Sequence, residues 1–250
     1  MSPTSQSGEN RLSAAELRAL FQQFTEAVAS DKRMSQQLAR WSEARGWWRS
    51  KWTDRGATSA ELTLQFFVPN RASAGQDRWV HPLADEAFEL DAWRTLWESA
   101  TRAEQDELVL AFVRAITQIE SDPASAADAC AQLARSAGRW GLPFAALTPA
   151  LSSLDPERFH VICDAWLRAL GQYEGTSLPN NIGAYAEVNT IASRWLAVAE
   201  GDSPAPVFAG CPPADRFGVF SSWLARTTSD AKARAFDVTQ KKYKEWPPMW

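Results

Sequence analysis

The segment DPERFHVICD, residues 155–164, holds groups that could move a proton. On one helix, His160 and Asp164 would stand four apart, close enough to hydrogen-bond. A carboxylate beside an imidazole is what a general base needs, and Glu157 adds a second carboxylate one turn earlier. This is the outline of a small enzyme acting on nucleic acid. The same residues also read as structure. Asp155 fits a helix N-cap, and Glu157 suits a first turn, where the helix dipole favours anions. His160 borders the apolar stripe Phe159, Ile162, Cys163, Trp166, Leu167 and Leu170. No nucleophile or oxyanion donor accompanies the acid–His pair, and a reaction site requires both. Cys163 falls inside the stripe, where a free thiol behaves as a small hydrophobe.

Binding chemistry is suggested in two other places. RWSEARGWWRSKW, residues 40–52, carries four of the chain's thirteen tryptophans among basic residues. At about 100° per residue, Leu38, Trp41, Trp48 and Trp52 share one face with Arg45 among them, which predicts burial. Trp47 falls on the other side, with Arg40 seven residues before it and Lys51 four after. An exposed ring beside two cations could stack on a base and reach phosphate, or anchor a protein interface. It could also pack under a neighbouring loop. Gly46 weakens this helix, and the angular argument depends on the helix continuing through it. In RWVHP, residues 78–82, His81 precedes a proline and is held extended. Trp79 and Arg78 could stack there on a planar group, or the tryptophan could pin the loop to the core.

Much familiar chemistry is missing. The sequence has no phosphate-cradling GK[ST], no GxGxxG, no GxSxG and no HExxH. Two histidines, His81 and His160, exclude a multi-histidine metal site, and no cofactor is expected. Three distant cysteines without a CxxC pair argue against a disulfide framework or a zinc ribbon and fit reduced thiols in a cytoplasm. The net charge of −4 creates no global field toward nucleic acid or anionic lipid. The longest apolar run, LVLAFV, is far too short to span a bilayer, and the N-terminus lacks the apolar region of a signal peptide.

The elements that must position these residues are helices. Ser13 and Glu16 have capping-box spacing, with Leu12 and Leu17 at the staple positions. Leu17, Leu20, Phe21, Phe24 and Val28 then recur at helical spacing, and SDKR at 30–33 breaks or kinks this helix before the tryptophan stretch. Thr101 and Glu104 form another box before a stripe of Leu108, Phe112, Ile116 and Ile119. Thr58 and Glu61 precede LTLQFF, which reads as a helix although it also alternates like a strand. LADEAFELDAWRTLWES reads as a helix. Asp122–Pro123 and Asp155–Pro156 each look like a cap followed by a first-position proline, with Gly138 and Gly171 just past the two helix ends. A helix closing at Gly201, a proline-rich loop and ADRFGVFSSWLART complete the pattern. The reading is an all-α fold of roughly eight helices in one domain, residues 12–228. A polar, disordered segment (1–11) precedes it, and a basic, aromatic tail (229–250) comes after it. The irregular loop at 69–82 is where the chain could divide into two lobes.

LTPALSSLDPERFHVICDAWLRAL resembles the LTPILNxLxPxxFxLINxxS segment in the N-terminal region of bacterial McrB-like AAA+ restriction GTPases and their EVE-domain relatives. GTSLPNNIGAYAEVNTIASRWL is similar to that family's GTSYxxxLxDYPxxNxxG stretch, and PPADRFGVFSSWL to its PADLFDMFSHWL. RWVHPLADEAFELDAW and KKYKEWPP stand in matching order, so the resemblance spans about residues 12–245. The family's polar run after its Pro-x-x-Phe turn is replaced here by Cys163, Asp164, Ala165 and Trp166. Neither the motor nor the EVE-like domain is present in this sequence. The resemblance implies a helical specificity or adaptor module in prokaryotic defence against foreign DNA. Its expected partner is a defence NTPase or a nuclease, ahead of DNA itself, with no membrane. The expected binding residues are Arg40, Trp47, Lys51, Trp79 and His81.

Overall fold

The structure is a computed structural model, which describes residues 12–53, 90–142, 144–162, 164–202 and 204–227. The described chain is all-α: helices and short 3-10 turns, with no strand among the described residues. The capping boxes at Ser13 and Thr101 hold at atomic detail. Ser13 opens α1 (Ala14–Ser30) with a complete capping box. Glu16 accepts from the Ser13 backbone N–H at 2.8 Å, and the Ser13 hydroxyl, then that backbone contact, hold its carboxyl below its usual range. Leu17, Phe21, Phe24 and Val28 are buried along one face, and Leu12 packs against the same core.

The SDKR segment breaks the helix at a single residue. Asp31 is extended (φ −105°, ψ 112°), and α2 (Lys32–Thr53) starts directly after it. The Asp31 carbonyl accepts from the Met34 and Ser35 amides, and the Ser35 hydroxyl donates to the orphan Val28 carbonyl at 3.0 Å. The turn therefore gives partners to groups at both helix ends and packs α2 against α1. α2 runs unbroken through Gly46, so the angular argument for residues 38–52 applies. Trp41 and Leu38 are buried as expected. The side chains of Trp48 and Trp52 lie outside the described residues.

α3 (Leu90–Ser99) leads to α4 (Arg102–Ser121), which starts on the Thr101–Glu104 box and buries Leu108, Phe112, Ile116 and Ile119. Asp122 and Pro123 then make a 3-10 turn that feeds α5 (Ala126–Ser136). Gly138 does not close α5. Ala137 does, and the left-handed residue is Gly141 (φ 56°), after a second 3-10 turn. α6 (Phe144–Leu154), α7 (Asp164–Glu174), α8 (Tyr185–Glu200) and α9 (Pro213–Thr227) complete the described fold. Gly201 ends α8 with φ 69°, as expected. Gly171 is inside α7 rather than past its end. A Cβ there would sit 2.5 Å from the Thr176 carbonyl oxygen, so the loop returning over the helix admits only glycine.

α9 packs on α1, α2, α7 and α8. Its Phe217, Phe220 and Leu224 are wholly buried at helical spacing. They thread a continuous aromatic core. Trp41 stacks on Trp166 (centroids 5.6 Å apart), which meets Phe217 edge-on at 5.1 Å. Phe217 touches Trp195, which stacks on Phe220, and Phe220 meets Phe21 edge-on. Several tryptophans of this chain thus serve as core. The segment 54–89, which contains the 69–82 loop and the LTLQFF segment, lies outside the described residues.

Candidate functional site

The expectation that residues 155–171 form one helix is wrong, and the error decides the fate of the acid–His pair. After α6 the chain turns over 156–158, runs without helix through 159–162, and is helical again from Asp164. Asp155 shapes the turn. Its Oδ1 accepts from the Glu157 amide, and its carbonyl accepts from the Arg158 and Phe159 amides. The non-helical backbone here lacks helical partners and finds them in side chains on other elements. Asn189 of α8 accepts from the His160 N–H at 2.8 Å and donates to the Arg158 carbonyl at 2.7 Å. The Tyr185 hydroxyl donates to the His160 carbonyl at 2.9 Å, and the Thr148 hydroxyl of α6 accepts from the Ile162 N–H. Asn189 thus takes the place of a neighbouring strand.

His160 and Asp164 therefore do not share a helix, and the spacing argument for their pairing fails. His160 is 1% exposed. The Ser193 hydroxyl donates to the Asn189 carbonyl at 3.0 Å, so it receives the Nε2 proton of His160 across 2.9 Å. Burial, helped by the Arg216 charge, pushes the imidazole down to about 3. A neutral ring sealed behind Phe217, with its proton committed to Ser193, does not serve as a base on an outside substrate. Glu157 is exposed. The structural role of His160 is the one that stands. Tyr185 and Asn189 belong to one of the stretches carrying the family resemblance, and Phe159 and His160 to another, so these two stretches meet in space.

Replacing Asn189 by alanine should strand the buried His160 N–H, at about 1–3 kcal/mol, while the carbonyl of the exposed Arg158 turns to water. Denaturant unfolding measures this. Asn189→Asp, which keeps the acceptor but not the donor, should fall between alanine and the native chain.

Of the expected binding residues, Arg40, Trp47 and Lys51 lie on α2, and their side chains are outside the described residues. Trp79 and His81 are outside the described residues altogether. The described part of α2 offers a different polar site, which the sequence reading missed. Arg45, expected on the buried face, reaches the Asp215 carboxylate of α9 at 2.8 Å. Asp215 is 3% exposed. Beside it, Arg216 pairs with Glu200 of α8 at 2.5 Å and donates to the Cys211 carbonyl. Of these residues, Asp215 and Cys211 line a cleft of about 260 Å³ between α2 and the 207–215 segment, walled by Val28, Leu38, Val207 and Pro212 with Ser35 and Ser42. Burial raises the Asp215 carboxyl to about 6, against the opposing pull of Arg45 and Arg216. The half-buried Cys211 thiol is also raised, first by burial and then by Asp215. A carboxylate with a raised pKa in a cleft marks a candidate site, and buried ion-pair networks share that signature.

His160 and Asp215 set opposing pH slopes. Asp215 binds its proton more tightly folded than unfolded, so between about pH 6 and 4 its contribution to stability grows as pH falls. His160 binds its proton less tightly folded than unfolded, so its contribution is present above pH 6.5 and is lost as pH falls toward 3. The native chain should therefore show a shallow stability profile between pH 6 and 4. Asp215→Asn should expose a steeper acid loss, and His160→Gln an acid gain. Parallel profiles for all three proteins would contradict both assignments.

Among the described residues, no group of His, Cys, Asp and Glu side chains could hold a metal ion, and no helix is long and apolar enough to cross a membrane. No family model, curated protein or solved structure matches the chain.

Proposed function

We propose that this chain is a helical recognition or adaptor module of a prokaryotic restriction-like defence system, and that it docks a protein partner, a defence NTPase or a nuclease, in preference to DNA. The observation that carries the reading is the fate of DPERFHVICD, whose histidine is spent on holding a non-helical segment against α8. The family resemblance supplies the biological setting. The net charge of −4 favours a protein partner over a polyanion. On α2, positions 40, 47 and 51 fall on one stripe of an unbroken helix, the register needed to present one aromatic anchor between two cations.

Titrating labelled single-stranded DNA at two salt concentrations separates the two partner classes. A protein-docking face gives weak binding or none, and the same result for Trp47→Ala. Tight binding that weakens steeply with salt and loses about 1–3 kcal/mol per stacked base in Trp47→Ala would overturn the preference and assign the face to nucleic acid.

A further inference from the structure

We propose that the cleft between α2 and the 207–215 segment receives a basic side chain, lysine or arginine, from the partner protein. This deepens the adaptor reading and rests on it. The cleft's lining contains one charged residue, Asp215. Its Oδ2 is taken by Arg45, and its Oδ1 accepts no hydrogen bond among the described residues. A carboxylate oxygen that has no protein partner among the described residues and belongs to the lining of a cleft can accept from an incoming donor. The local charge has the same sign. Among the described residues Asp215 is the only charged group on the lining, Glu157 repels it further, and the opposing Arg216 is itself paired with Glu200.

The walls suit the rest of such a side chain. Val28, Leu38, Val207 and Pro212 offer apolar surface for a methylene stem, while the Ser35 and Ser42 hydroxyls stand beside it. Long basic side chains bury their stems on apolar surface and carry the charge at the tip. The volume of about 260 Å³ fits one such side chain, not a folded element. Val207 is 37% exposed, which leaves an apolar lip at the entrance.

The test uses the full chain, Nα-acetyl-lysinamide as probe, and Nα-acetyl-norleucinamide as the control with the same stem and no ammonium. Backbone amide NMR shifts at Ser35, Ser42, Gly210, Cys211 and Asp215 report occupancy. The lysine compound should shift these amides saturably, with millimolar affinity, and the norleucine compound should not. Lowering the pH to 5 should weaken the lysine response about tenfold, because Asp215 titrates near 6 with Arg45, Arg216, Glu157 and Cys211 around it. Asp215→Asn should lose the response. Val207→Trp, a change at an exposed position that fills the entrance, should lose it too, and this variant guards against a folding defect in the first. Equal shifts from both compounds would assign the cleft to an apolar occupant and overturn the proposal, as would no shift with either. The titration needs no partner, so its failure leaves the docking role of Trp47 to be judged on its own experiment.

Discussion

Replacing Trp166 by alanine should cost about 3–5 kcal/mol, the range for removing a large buried aromatic. The indole is fully buried at the junction of α2, α7 and α9. It stacks on Trp41 across 5.6 Å and presents itself to the edge of Phe217 at 5.1 Å. Its neighbours are themselves large rings wedged against other elements, so the cavity has little freedom to collapse, and the upper half of the range is expected. Chemical denaturation with tryptophan fluorescence and circular dichroism measures it. Trp166→Phe should recover part of the loss. A cost under about 1 kcal/mol would show that the stack is not core.

Gly218→Ala should destabilise the protein although alanine is the better helix former. A Cβ on Gly218 would lie 1.9–2.8 Å from three ring carbons of Trp41. Two effects compete. Alanine gains about 1 kcal/mol of helix propensity over glycine. The overlap forces either the ring or the α2–α9 spacing to shift, and overpacking of this kind costs about 1–3 kcal/mol, occasionally more. Trp41 is held between Trp166 and Gly218, so it cannot swing aside without breaking its own stack, and the clash should win. Combining Gly218→Ala with Trp41→Leu should be less damaging than the sum of the two single changes, since the shorter side chain removes the overlap. Strict additivity would contradict this packing.

The features legible in the sequence were those that local spacing determines. The capping boxes at Ser13 and Thr101 bring together groups three residues apart, so sequence spacing is the geometry. The stripes Leu17–Val28 and Leu108–Ile119 report helix period directly, and the positions of Trp41 and Trp166 on apolar stripes predicted their burial. The features that failed are fixed from a distance. Asp155–Pro156 carries the same grammar as Asp122–Pro123, yet it leads into a turn and a non-helical segment. The difference lies in Asn189, Tyr185 and Thr148, which are 14 to 31 residues away and supply the hydrogen bonds that a helix would have made. Local propensity cannot register such a competitor.

Arg45 and Asp215 are 170 residues apart. A hint existed, because a guanidinium among Leu38 and Trp41 on a buried face demands a carboxylate from another element. Nothing in the sequence says which one. Asp215 looks like an ordinary acid in a first helical turn, and only the packing of α9 on α2 gives it a partner.

The proposed function has this chain dock a protein partner through α2. The most direct measurement is affinity capture of the native chain and of Trp47→Ala in parallel from cells of the source organism, with the retained proteins identified by mass spectrometry. Circular dichroism of both baits confirms equal folding. The account predicts that the native chain retains an NTPase or nuclease subunit after high-salt washing, and that Trp47→Ala loses it. Equal retention by both baits would contradict docking through Trp47, and capture of nucleic acid alone, released by salt, would contradict the protein-partner reading itself.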